Sequence, residues 1–233
     1  PAVSYPTYAM GALLSGCRAV PYRCLDEIGD AEAARALCLW VNSPANPTGE
    51  LADLAAAAAW GRAHGVPVFS DECYVEFTWQ GPAHTILAHG TDGVVAVHSL
   101  SKRSNVAGLR VGFYAGDPEL VGYLAEVRKH AGFLVPGPVQ AAAVAALGDD
   151  AHVEAQRARY TERLAYMAEL LGAALPAGGF YLWVAVPGGD EWAYAEKLAR
   201  EAGCLVAPGE FFGPAGRGHV RVAMVAPMER LRL

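Results

Sequence analysis

The 233-residue sequence predicts an α/β protein: a mostly parallel sheet with helices on both faces, a partial large domain of its kind, followed by a small α+β C-terminal domain. Three observations carry this. Short apolar runs rich in β-branched and aromatic residues alternate with alanine-rich helical runs, the pattern of strands buried on both faces. The first two such runs are separated by one strong helix former, which makes a strand–helix–strand unit. From about residue 117 the pattern turns helical and then returns to isolated strands, a change of architecture rather than a repeat.

In chain order, "LCLWV" at 37–41, "VPVFS" at 66–70, "GVVAVHS" at 93–99 and "LRVGFYAG" at 109–116 read as buried strands. "ELADLAAAAAWGRAHG" between the first two reads as a helix ended by Gly65. "PELVGYLAEVRKHAG" is helical, "VPGPV" breaks it, and an alanine-rich stretch leads into "DDAHVEAQRARYTERLAYMAELLG". Then come "GFYLWVAV" at 179–186 as a strand, "DEWAYAEKLAREAG" as a helix, "CLVAPG" as a short strand and "HVRVAMV" as the last strand. The expected division is a large domain over 1–147 and a small one over 148–233.

Composition narrows the partners. The chain is 53% hydrophobic and 18% charged, with formal net charge -6, pI about 5.6 and charges mixed along its length. It carries no basic footprint for nucleic acid or anionic membrane, so a small-molecule partner is expected. Cys17, Cys24, Cys38, Cys73 and Cys204 form no C-x-x-C pair, which argues against a disulfide framework or a metal site and for reduced thiols in the cytoplasm. No apolar run approaches the roughly 20 residues of a membrane helix.

In open α/β sheets, ligands collect beyond the carboxyl ends of the strands. The loop "NSPANPTGE" there presents Asn42 and Asn46, "DECY" places Asp71 and Tyr74 at the next strand end, and "LSK" places Lys102 at the third. These residue types suit the holding of a pyridine-aldehyde cofactor. A lysine forms a Schiff base with the aldehyde, and a carboxylate pairs with the ring nitrogen and keeps the ring electron-withdrawing. Tyrosine and asparagine can donate to the phenolate oxygen, while serine hydroxyls and an arginine fork can hold the phosphate.

"NPTG", "D-x-x-Y", "S-x-S-K" followed by Arg110, and a late "R-V-A" together resemble the fold type I aminotransferases that use pyridoxal 5'-phosphate, in family order and over essentially the whole chain. The resemblance implies Lys102 as Schiff-base lysine and proton shuttle, Asp71 as pyridinium partner, and Asn46 and Tyr74 as partners of the phenolic oxygen. It further implies phosphate binding by Ser99 and Arg110, an aromatic Tyr5 over the ring, and Arg221 clamping the substrate α-carboxylate, with Asn46 also on the substrate side. "SDECYVEF", "HSLSKRSNVAGLR", "VRKHAGFLVPGPVQAA" and "LVAPGEFFGPAG" narrow it to a resemblance to actinobacterial succinyldiaminopimelate aminotransferases. That implies glutamate as amino donor, N-succinyl-2-amino-6-oxopimelate as acceptor, a role in lysine and diaminopimelate synthesis, and a homodimer at full length.

Each residue also has a plainer reading: Asp71 as a cap, Tyr74 as packing, Arg221 as solvated, Ser99 as the cap of the following helix, and Arg103 as facing solvent or phosphate. Ser99-Leu-Ser-Lys102 also fits the S-x-x-K nucleophile motif of penicillin-binding proteins, but neither Lys129 nor Lys197 is followed by the Thr-Gly that class expects. A non-catalytic relative of the aminotransferases is the other alternative. The chain opens at "PAVSYPTY" without Met, has a short passage before "GGFYLW" and ends at "ERLRL", whereas the resemblance implies an earlier arm and a turn whose backbone N–H groups bind phosphate. The expectation is a piece of a longer chain that loses cofactor on dialysis.

Overall fold

The computed structural model describes residues 1–233. Strands β1 (Leu39–Asn42), β2 (Val68–Asp71) and β3 (Val94–Ser99) run parallel side by side, and β4 (Gly112–Gly116) pairs antiparallel with β3. The link from Ser99 to Gly112 holds a short helix and a single helical turn rather than a helix that crosses the sheet face, and β4 returns beside β3 in the opposite direction. In the parallel register Leu39 lies beside Val68 and Val68 beside Val94, all three buried.

Helices α1 (Thr7–Leu14) and α2 (Asp30–Ala33) precede the sheet, and α3 (Leu54–His64) crosses from β1 to β2. The Asp53 carboxylate caps α3 by accepting the Ala56 N–H at 2.8 Å, and Gly65 ends it at φ +65°, a left-handed turn that a side chain would strain. The helix buries Leu54, Ala57 and Ala58 into one cluster with Leu39, Val41 and Val68. Burying a leucine or valine contributes about 1.5–3 kcal/mol, so this face fixes the position of β1 against β2.

The link from β2 to β3 behaves differently. It holds two single helical turns, Val75–Phe77 and Ile86–His89, rather than a crossing helix. Tyr74 and Phe77 leave the first sheet and enter a second core with Tyr160, Leu164, Phe180 and Leu182. Thr78 bridges Gly178, and the Trp79 indole donates to the Gly179 carbonyl at 2.7 Å. A segment from the first half of the chain is thereby welded to the second sheet.

After β3 come α4 (Leu100–Arg103), α5 (Pro118–His130), α6 (Gly137–Leu147) and α7 (Ala151–Leu171). Asp117 caps α5 by accepting the N–H groups of Glu119 and Leu120. The second sheet consists of β5 (Tyr181–Ala185), β6 (Ala207–Pro208) and β7 (His219–Ala223), antiparallel with β7 in the middle. Helices α8 (Glu191–Ala202) and α9 (Met228–Leu231) accompany it. No helix is long and apolar enough to cross a membrane.

Candidate active site

The parallel register aligns Asn42 of β1 with Asp71 of β2, so two polar side chains end adjacent strands at one level. Asn42 is consumed in shaping the loop: its amide donates to the Asp71 carbonyl at 2.9 Å, and its Oδ1 accepts the Asn46 N–H at 2.8 Å. That holds Asn46, itself buried, over the strand ends. The loop closes at Gly49, at φ +73°, where an added Cβ would stand 2.4 Å from Pro176 Cβ and 2.7 Å from the Gly178 carbonyl. Only glycine fits that approach.

Asp71 is held by donors at both oxygens. The Cys73 N–H reaches Oδ1 at 3.1 Å, and the Tyr8 hydroxyl donates to Oδ2 at 2.6 Å. The sequence reading missed Tyr8; the only signal was its repeat three residues after Tyr5 in "YPTY". Burial first, and then the Asp71 charge, raise the Tyr8 phenol far above its ordinary range, so it keeps its proton and acts as donor.

A second chain of contacts crosses between the sheets. The Asn46 amide donates to the Tyr74 hydroxyl at 3.3 Å, and the hydroxyls of Tyr74 and Tyr181 lie 3.0 Å apart. Arg221, on β7, donates through Nη1 to Asn46 Oδ1 at 2.9 Å. Its guanidinium sits 4.3 Å from the Tyr181 ring centroid and 4.9 Å from that of Phe212. Arg221 Nε is buried without an acceptor, leaving a cation that no carboxylate of the chain neutralises. Burial raises the Tyr74 and Tyr181 phenols, which therefore remain donors at neutral pH. Tyr181 and Phe212 were also not singled out in the sequence, because an aromatic on a strand reads as core.

Lys102 stands on the short helix α4, half-buried. The Ser99 hydroxyl accepts the Ser101 N–H at 3.2 Å, so it caps that helix, as the plainer reading had it. Arg110 follows in a left-handed conformation at φ 51° and donates to the Ala107 carbonyl at 2.9 Å, with its side chain exposed. Arg103 is a correction: instead of facing solvent or phosphate it is 7% exposed. It pairs with Glu76 at 3.2 Å and Asp150 at 2.6 Å and donates to the Ala146 carbonyl at 2.8 Å. The helical geometry of α4 turns adjacent side chains about 100° apart, so Lys102 and Arg103 cannot both face the cavity.

Tyr5, Asn46, Asp71, Tyr74, Ser99 and Lys102, together with Arg110 and Arg221, surround one cavity of about 340 Å³. Three cations, Lys102, Arg110 and Arg221, face one carboxylate, Asp71, which leaves a formal charge of 3 − 1 = +2 in a chain of net charge -6. Such a lining attracts anions. The donor set fits pyridoxal phosphate: an amine without a partner, an anchored carboxylate, phenol and amide donors from two sheets, and an arginine at the far side of α4. It also leaves Arg221 free for a second anionic group.

The family model described as "Aminotransferase class I and II" matches residues 1–232. A 4-dedimethylamino-4-oxo-anhydrotetracycline transaminase of Streptomyces rimosus is 44% identical over 99% of this chain and 67% of its own. A probable aminotransferase of Mycobacterium tuberculosis is 44% identical over 99% of this chain and 57% of its own. The solved structure of a probable N-succinyldiaminopimelate aminotransferase from Thermus thermophilus superposes with a TM-score of 0.89 at 34% identity, over 99% of this chain and 67% of that one. The chain spans 57–67% of the length of these three proteins.

Proposed function

Because this chain belongs to the class I and II aminotransferases, we propose that it serves transfer of an amino group between glutamate and a keto acid with pyridoxal 5'-phosphate as cofactor. The observation that carries this is Arg221, a half-buried cation whose Nε is buried without a carboxylate partner, on the same cavity as the unpartnered amine of Lys102. A bidentate clamp on an α-carboxylate would put the neighbouring Cα within reach of a base.

The cofactor, when bound, supplies an electron-withdrawing protonated ring. The chain supplies the rest. Lys102 takes the proton from the substrate Cα and returns one, as a base positioned by α4. Asp71 would accept a hydrogen bond from the ring nitrogen, its two anchors keeping it from rotating away. Asn46 and Tyr74 would donate to the phenolic oxygen, Ser99 and Arg110 would hold the phosphate, and Tyr5 would cover the ring.

For the acceptor we favour N-succinyl-2-amino-6-oxopimelate in lysine and diaminopimelate synthesis, supported by the Thermus thermophilus likeness. The Streptomyces rimosus likeness favours a second reading, amination of a polycyclic ketone. Arg221 argues for the first, since it asks for a carboxylate. A cytoplasmic homodimer belongs to the same reading: the five cysteines are all free thiols, and Tyr123, Phe133, Leu134 and Val144 expose apolar surface around α5 and α6.

The test is borohydride reduction of the protein loaded with pyridoxal phosphate, followed by peptide mapping and a panel of amino donors, keto acids and cyclic ketones. The adduct is expected on Lys102, and Lys102→Ala is expected to bind cofactor only reversibly. An adduct on Lys129 or Lys197 would sink the assignment, and turnover of cyclic ketones alone would select the second reading.

A further inference from the structure

Lys102 stands on a helix of four residues, and the side chain next to it is gripped from three other segments. Arg103 places Nε on Glu76 Oε1 at 3.2 Å, Nη1 on the Ala146 carbonyl of α6 at 2.8 Å, and Nη2 on Asp150 Oδ1 ahead of α7 at 2.6 Å. One turn earlier, Leu100 is buried in a small cluster with Val111 and Ala143. Leu100 and Arg103 are three residues apart, as are Ala143 and Ala146, so one face of α4 is tied to one face of α6 at two points. The residue after Arg103 is tied to the same junction. The Ser104 N–H closes the last turn of α4 on the Leu100 carbonyl at 3.0 Å, and its hydroxyl lies 3.0 Å from His152 Nε2. His152, in the first turn of α7, donates through Nδ1 to Asp149 Oδ2 at 2.9 Å. Glu76 is held from α7 as well, since its carbonyl accepts a hydrogen bond from Arg157.

Taking Lys102 as the reacting amine, a role that rests on the proposed function, we infer that Arg103 is a positioning residue: it docks α4 on the junction of α6 and α7 and thereby fixes how far the Lys102 amine reaches into the cavity. Adjacent helical side chains diverge by about 100°, so docking through positions 100 and 103 turns Lys102 away from α6 and into the cavity that Asn46, Asp71 and Arg221 also line. Arginine suits this task because its planar fork offers donors in fixed directions to several partners at once, whereas a lysine is a single point charge on a flexible stem. A helix of this length has little shape of its own, so the docking supplies it. Precision matters here, since a misplacement of about 1 Å can cost on the order of a hundredfold in rate.

Arg103→Met keeps an unbranched apolar stem and removes the docking groups. The chain has three lysines, which makes the readout internal. A limiting amount of acetic anhydride, applied to the protein without cofactor, labels Lys102, Lys129 and Lys197 in a ratio that peptide mass mapping gives. The Lys129 and Lys197 side chains are 56% and 65% exposed, on α5 and α8, so they report any general change. In the variant, labelling of Lys102 relative to both should rise about threefold or more, and the Ser104 amide should exchange with solvent about tenfold faster. Loaded with pyridoxal phosphate, the variant should lose about a hundredfold in kcat, while KM for the amino donor changes by less than about twofold because Arg221 is untouched. Arg103→Lys should recover only part of kcat, since one ammonium cannot serve three partners.

Should Arg103→Met fold poorly, Glu76→Gln keeps the shape and removes one charged partner of Arg103, and the Lys102 labelling ratio should rise about twofold. An unchanged labelling ratio and unchanged Ser104 exchange in folded Arg103→Met, or an unchanged ratio in Glu76→Gln where Arg103→Met does not fold, would overturn the inference. So would a kcat for folded Arg103→Met within about twofold of the unmodified protein. If the unmodified protein forms no borohydride-stable adduct on Lys102, the proposed function fails. The labelling ratio, taken without cofactor, decides the docking of α4 by Arg103 in either case.

Discussion

Asp71 and Arg221 sit on different sheets and carry opposite charge, so their loss should show in different measurements. Asp71→Ala removes the one carboxylate of the cavity and leaves Asn46, Tyr74, Ser99 and Arg110 in place. Cofactor should still bind while kcat falls by orders of magnitude. Arg221→Ala leaves the lysine and Asp71 untouched, so the cofactor spectrum should persist while KM for amino donor and keto acid rises about a hundredfold, the weight of a charged hydrogen-bond pair. Steady-state kinetics and absorbance spectra of the two variants check this, and matching defects in both would deny them separate roles. At this scale the sequence was informative where a residue type is rare at a strand end, as with Lys102, and silent where the type is common, as with Tyr8 and Tyr181.

The four-residue helix α4 carries Lys102, and the element is held by Arg103 rather than by its own length. Four residues cannot form a stable helix unaided. Arg103 joins α4 to Glu76, to the Ala146 carbonyl near the end of α6 and to Asp150 ahead of α7. The Asp150 side chain is 85% exposed, so Asp150→Asn should cost under about 1 kcal/mol. Arg103→Met should cost about 2 kcal/mol, because it leaves Glu76 without its partner and removes the strongest donor to the Ala146 carbonyl. Chemical denaturation measures both, and equal effects would mean that the exposed pair, not the buried one, holds α4. The same logic explains the β2–β3 link. Its sequence breaks at Pro and Gly, but nothing local marks Tyr74 and Phe77 as core residues of a different sheet.

The two sheets meet at the cavity, with Asn46, Asp71 and Lys102 from the half of the chain that carries β1 to β3 and Tyr181 and Arg221 from β5 and β7. The joint is closed by phenols rather than by ion pairs, and this sets a pH limit on the whole fold. Tyr74 and Tyr181 are 4% and 6% exposed, and burial raises both above the ordinary value of 10.0. An unfolded chain would release these protons above pH 10 while the folded one retains them. The stability they confer is therefore full below pH 10 and declines above it until each phenol ionises in the folded state. Denaturation midpoints from pH 9 to 12 should fall accordingly, and Tyr181→Phe should lessen the fall. A flat profile would mean that the phenols ionise in place.

The sequence by itself determined the order of the strands and of the longer helices α3, α5, α6, α7 and α8, the Gly65 stop, and the set of chemistry-bearing residues at three strand ends, because apolar periodicity and rare residue types are local signals. Only the tertiary structure decided that β4 runs backwards, that residues 74–79 belong to the second core, that Arg103 points inward and that Tyr8 reaches Asp71. Those outcomes depend on which buried polar groups find partners across 28 to 175 residues of chain, as in the Asn46–Tyr74 and Asn46–Arg221 contacts. A hydrogen bond of that kind has no period and no composition. It exists only once two apolar cores have packed and left their polar edges facing one another.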